Sequence, residues 1–240
     1  MATARVAPRT FIFDIQEVLI TSNPMDDFLQ FLAEKAEDDT RINADWQGDV
    51  FSLMHALLYK NCPICEFKLC RVASANGTPH VKQALQEGQI TYAALKVGIT
   101  QMLTHFVECP PKARIILDYL AEFMTQPAVF SRGTKPLARG TALLRFVHEK
   151  YGPENIFILS NMPAQSYSVK QHMFPEIFEL VSERQTILSG HTGICKPNPE
   201  AFTQLATKFN VDPATALFFD DKHKNVVAAR EAGLNAVQFL

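Results

Sequence analysis

The residues able to do chemistry fall in four short stretches: Asp14, Ser160-Asn161, Lys196 and Asp220-Asp221. Asp14 closes the apolar run Thr10-Phe11-Ile12-Phe13; Ser160-Asn161 follow Ile156-Phe157-Ile158-Leu159, and the aspartate pair follows Ala216-Leu217-Phe218-Phe219. Each run is short and almost wholly apolar, as in a strand covered on both faces. Strands of a parallel sheet that end in polar groups present them at the carboxyl edge, where open α/β folds bind ligands. Carboxylates that converge there repel one another. A hard divalent cation such as Mg2+ relieves the repulsion and accepts a phosphate oxygen as a further ligand. Ser160, with N–H groups at a following helix start, suits the other phosphate oxygens. Lys196, in the loop Cys195-Lys196-Pro197-Asn198-Pro199, suits the charge between carboxylates and phosphate. Asp14 is then placed to attack phosphorus as a carboxylate nucleophile.

The elements that must position these groups come in two blocks. From residue 131 helices are expected over 137–150, 163–173, 199–209 and 226–232, alternating with strands over 156–159, 186–188, 216–219 and 236–239. With the first strand at 10–14, this is the pattern of an α/β protein with a doubly wound parallel sheet. Between 22 and 130 the pattern is helical only, over 24–37, 50–59, 80–87, 91–106 and 112–124, with Pro110-Pro111 separating the last two. The expected organisation is a discontinuous core, 1–21 and 131–240, interrupted by an all-helical domain, 22–130. An irregular stretch, 61–79, carries Cys62, Cys65 and Cys70. With His80 these cysteines allow a zinc knuckle, and a packed insertion is the plainer reading.

Four segments resemble, in order, the motifs of the haloacid dehalogenase superfamily. They are Phe13-Asp14-Ile15-Gln16-Glu17-Val18-Leu19, Ile158-Leu159-Ser160-Asn161, Lys196-Pro197, and the stretch from Phe218 to Arg230 that contains Asp220, Asp221 and Asn225. Leu85-Gln86-Glu87-Gly88-Gln89-Ile90-Thr91 is similar to a stretch of the superfamily's helical caps. Within the superfamily the chain is similar to small phosphatases whose first motif reads Asp-x-Gly-Asn-Val. The resemblance implies a Rossmann-like core, a helical cap inserted after the first motif, and Mg2+-dependent hydrolysis of small phosphate monoesters such as sugar phosphates. It implies Asp14 as nucleophile and metal ligand, with the Gln16 backbone carbonyl and Asp221 on the metal and Asp220 bound directly or through water. It further implies Ser160, Asn161 and Lys196 as substrate-binding residues on the phosphate, Lys196 also as a catalytic residue, and Asn225 in support.

One position departs from that pattern. Most phosphatases of the superfamily carry an aspartate where this chain has Gln16; it protonates the leaving oxygen and later activates water. An amide cannot titrate, and a positioned acid/base contributes about 10²–10⁴ in rate. Glu17 is the nearest replacement, but side chains alternate on an extended chain, which points it away from the side of Gln16. Two other functions therefore stay open. One is a metal-independent dehalogenase in which the aspartate attacks carbon; Gln16 permits it, and Asp220-Asp221 oppose it. The other is a weak or inactive member that binds without turnover.

The rest of the composition narrows the partners. A formal net charge of −2 over 240 residues gives no electrostatic case for nucleic acid or a membrane surface. No apolar run approaches the roughly 20 residues that span a bilayer. Five cysteines, an odd number, do not suggest a disulfide framework and favour a reducing cytoplasm. The expected partner is a small phosphorylated substrate.

Overall fold

The structure is a computed structural model that describes residues 8–42, 46, 48–50, 81–105 and 111–240. Strand β1 (Thr10–Phe13) is buried along its whole length. After a tight turn comes β2 (Ile20–Thr21), then helices α1 (Pro24–Ala36), α2 (Val81–Gln86), α3 (Tyr92–His105) and α4 (Pro111–Met124). The chain returns through β3 (Lys135–Pro136), which pairs antiparallel with β2, and α5 (Ala138–Tyr151). It then alternates: β4 (Ile156–Ser160), α6 (Ala164–Met173), β5 (Thr186–Leu188), α7 (Pro199–Phe209), β6 (Ala216–Asp220), α8 (His223–Glu231) and β7 (Asn235–Gln238).

The five long-range strands form one parallel sheet in the order β5-β4-β1-β6-β7. The chain leaves β1 towards β4 on one side and later crosses to β6 on the other, so β1 lies at the topological switch point. Phe13 is opposite Ile158 of β4 and Phe219 of β6. The next residue, Asp14, continues the ladder by donating its N–H to the Phe219 carbonyl at 2.9 Å. Asp14, Ser160 and Asp220 therefore emerge at one edge.

Successive side chains of β1 serve opposite faces, as a period of two requires. Phe11 and Phe13 pack with Leu144 and Val147 of α5 and Tyr167 of α6. Ile12 packs with Phe202 and Leu205 of α7 and Val226 and Ala229 of α8. Helices on both faces make this the α/β, Rossmann-like core expected from the alternation.

The chain divides into two compact units, Met1–Ser22 with Thr134–Leu240, and Asn23–Gly133. The second has its own core, in which Phe28 and Phe31 of α1 meet Leu95 and Ile99 of α3 and Ile116, Leu120 and Phe123 of α4.

Several elements differ from the sequence pattern, among them the four-residue helices Pro127–Phe130, Pro175–Phe178 and Ser189–Thr192. The β2–β3 pair was not expected, because two-residue strands are too short to show a period. Helix α8 begins at His223, three residues before the first apolar position of its pattern. Its polar first turn is closed from outside, by Asp220 accepting the Lys222 N–H at 2.9 Å. The expected helix over 50–59, apart from Val50, and the segment 61–79 with His80 lie outside the described residues.

Gly140, in the first turn of α5, lies against the Val18 carbonyl, and a Cβ there would overlap that oxygen. Alanine in a helix normally gains up to about 1 kcal/mol over glycine. Here the neighbour is backbone and cannot swing aside, so Gly140→Ala is expected to lose at least about 2 kcal/mol in chemical denaturation. A neutral or stabilising result would show that the turn after β1 gives way freely.

Candidate active site

The site begins with the turn that follows β1. The Ile15 carbonyl accepts the N–H groups of Leu19 at 2.9 Å and Ile20 at 3.1 Å, while Glu17 N–H donates to the Ile20 carbonyl at 2.7 Å. This winding puts Glu17 at φ 59°, in the left-handed region that disfavours residues with a Cβ. Side-chain alternation therefore does not apply here, because the chain is not extended. Gln16 Nε2 donates to Glu17 Oε1 at 2.9 Å and to Ser22 Oγ at 3.0 Å. Thr21 Oγ1 donates to the same glutamate oxygen at 2.9 Å. The two side chains lie together, contrary to the expectation that they face opposite ways.

Asp14 is buried. Its Oδ1 accepts the Ile15 N–H at 2.8 Å and lies 3.1 Å from the Lys196 ammonium. Lys196 Nζ, only 1% exposed, also donates to Asp220 Oδ2 and to the Leu159 carbonyl, both at 2.7 Å. The loop that carries this lysine is held by Asn161. Its Oδ1 accepts the Lys196 N–H at 2.8 Å and its Nδ2 donates to the Lys196 carbonyl at 2.7 Å. Asn161 thus positions the lysine, a role that its expected place on the phosphate did not anticipate. Ser160 is buried at the end of β4.

Both oxygens of Asp220 are engaged. Oδ1 accepts from Lys222 N–H and from Asn225 Nδ2, each at 2.9 Å; Oδ2 accepts from the same Asn225 amide at 3.0 Å and from Lys196. Asp221 differs. Its Oδ1 is buried, accepts no hydrogen bond from the described residues, and has the Lys222 ammonium 3.5 Å away. Asp14, Asp220 and Asp221 each offer one oxygen, and these oxygens lie within 4.8 Å of one another. Asp221 and Glu17 also line an open cleft of about 400 Å³ with Arg139 and Phe239. His223 and Lys224, beside the acidic pair in sequence, are exposed.

Burial is the main reason the Asp14 carboxyl is pushed above its ordinary range. The Asp220 charge adds to this, while Lys196, Lys222 and the Ser160 hydroxyl oppose it. Asp221 is raised as well, first by burial and then by Asp220, against the pull of Lys222. Partial burial works to lower Lys222, but the facing carboxylates of Asp14, Asp221 and Asp220 outweigh it and keep its ammonium form favoured. Three hard carboxylates, one with a buried and unsatisfied oxygen, form a donor set that fits Mg2+.

A family model of haloacid dehalogenase-like hydrolases matches residues 8–233. The chain belongs to that family. Among solved structures, a HAD family enzyme of Bacteroides thetaiotaomicron in complex with magnesium and inorganic phosphate superposes with a TM-score of 0.58 and 19% identity, covering 97% of this chain and 94% of that one. A predicted HAD-like family hydrolase of Porphyromonas gingivalis gives 0.58 and 16%, covering 97% and 91%. A 2-haloacid dehalogenase of Pseudomonas syringae gives 0.56 and 14%, covering 96% and 86%. Likeness at this identity speaks for the fold. No curated protein matches the sequence.

Raised carboxyls make protons compete with a cation. The rise in melting temperature produced by Mg2+ is expected to shrink as pH falls from about 7.5 to about 5, because the ligands must be deprotonated to bind. Without metal the dependence runs the other way. An acid whose folded value is raised stabilises the fold at low pH and loses that contribution as pH climbs through the raised value. A pH-independent Mg2+ shift in differential scanning fluorimetry would overturn the assignment.

Proposed function

We propose that this protein is a Mg2+-dependent hydrolase of small phosphate monoesters, working through an aspartyl-phosphate on Asp14. The observation that carries the reading is the close set of Asp14, Asp220 and Asp221 oxygens, with the Asp221 oxygen buried and lacking a donor. A 2-haloacid brings its own carboxylate, which three clustered carboxylates repel. A phosphate ester arriving at the same cluster with a divalent cation is attracted, and the magnesium and phosphate complex of the B. thetaiotaomicron enzyme favours this choice.

The bound cation would be held by Asp14 and Asp221, with the Gln16 carbonyl, and with Asp220 directly or through water. It would supply charge neutralisation. The chain's own residues do the rest. An Asp14 oxygen bonds to phosphorus while the ester P–O bond breaks, and its electron pair leaves on the alcohol oxygen. Water then cleaves the acyl phosphate, releasing inorganic phosphate and restoring the Asp14 carboxylate. Lys196 steadies the nucleophile and faces the phosphate, and Ser160 binds a phosphate oxygen. Asn161 and Asn225 hold Lys196 and Asp220 in place.

An aryl phosphate leaves as a stable anion and needs no acid, so it is the substrate that exposes the nucleophile alone. Phosphate release from it is expected to require Mg2+ and to fall at least about 10³-fold in Asp14→Asn. Activity that survives either removal sinks the mechanism. For alkyl esters the missing acid should limit the rate. Gln16→Asp is expected to raise kcat on them by about 10²-fold while leaving aryl phosphate little changed. If alkyl rates stay flat or drop, the Gln16–Glu17–Ser22 bonds shape a pocket with another purpose. Those bonds also favour a second reading, binding without turnover. Its mark is Mg2+-dependent stabilisation by inorganic phosphate with no phosphate released from any ester.

A further inference from the structure

The two lysines at the cluster are held differently. Lys196 is 1% exposed, and its ammonium donates to the Leu159 carbonyl and to Asp220. Lys222 has a side chain 48% exposed and stands 3.5 Å from Asp221 Oδ1, an oxygen that accepts no hydrogen bond. Attraction between charges, without a hydrogen bond of good geometry, is what keeps it there. Its backbone, in contrast, is fixed beside the site, because its N–H donates to Asp220 Oδ1 at 2.9 Å. The stem therefore starts at a pinned point, and its tip lies between the carboxylates and solvent.

Charge balance gives this position a use. Three carboxylates meet two ammonium groups, so one negative charge is uncompensated when no metal is bound. A divalent cation added beside both lysines overshoots to a positive cluster. Lys196 is locked in the frame, so Lys222 is the group able to withdraw.

We propose that Lys222 is a built-in counter-cation, neutralising Asp221 in the metal-free protein and swinging into solvent when a divalent ion binds. The proposal rests on the metal-dependent reading of the site. It makes the affinity for metal the outcome of a competition with this side chain.

The test is calorimetric titration of Mg2+ into wild type, Lys222→Met and Lys222→Arg, with melting temperatures measured with and without Mg2+. Loss of a like charge a few ångströms from the ion is expected to tighten Mg2+ binding about tenfold in Lys222→Met. The same variant is expected to melt lower than wild type without metal and to match it at saturating Mg2+. Lys222→Arg, which keeps the charge, is expected to behave as wild type in both measurements. Equal or weaker Mg2+ binding by Lys222→Met overturns the proposal while leaving the phosphatase reading intact. Unchanged Mg2+ binding with weakened binding of inorganic phosphate does the same and makes Lys222 a phosphate ligand. If wild type itself binds no Mg2+, the metal-dependent reading fails, and this proposal with it.

Discussion

The ion pairs of the buried Lys196 ammonium with Asp14 and Asp220 tie this candidate site together. Taking such charges out of water costs several kcal/mol each, and Coulomb attraction offsets that only when the remaining lone pairs and protons also find partners. Here they do. The Leu159 carbonyl takes one ammonium proton, the Ile15 N–H meets Asp14, and Lys222 N–H and the Asn225 amide meet Asp220. Those partners come from the ends of β1, β4 and β6 and the start of α8. The site and the carboxyl edge of the sheet are in this sense one polar network.

The network is deliberately incomplete at Asp221. A third carboxylate beside two others destabilises the fold, and its buried oxygen lacks a donor. Local cost of this kind collects at functional sites, where the surrounding structure over-determines the geometry. The left-handed Glu17 is a second instance. Three successive bonds, from Glu17 N–H, Thr21 Oγ1 and Gln16 Nε2, hold that residue in place.

Membership of the haloacid dehalogenase-like hydrolase family does not decide the reaction. Structures of similar fold include a HAD family enzyme in complex with magnesium and inorganic phosphate and a 2-haloacid dehalogenase, so likeness of fold leaves the reaction open. The electrostatics of one cluster is the basis for the choice proposed above. Asp220-Asp221 add negative charge beside Asp14.

The positions of Asp14, Ser160 and Asp220 at strand ends were legible in the sequence, because a strand buried on both faces is a continuous apolar run with an abrupt polar end. The alternation of helix and strand after residue 131 and the described helices before it were legible for the same reason: burial imposes a period on side chains. The β2–β3 pair was not, since two residues carry no period. The sequence alone determined which residue types reach the carboxyl edge. Only the tertiary structure decided what each one does there. Asp220 and Asp221 are adjacent and identical in type, yet Lys196, from a loop 24 residues earlier, and Asn225, from the next helix, bond, of the two, to Asp220 alone, and the Asp221 Oδ1 is left without a hydrogen bond among the described residues. Gln16 and Glu17 likewise took their directions from a turn closed by Ile20. Partners of that kind are set by packing between segments, which local pattern does not encode.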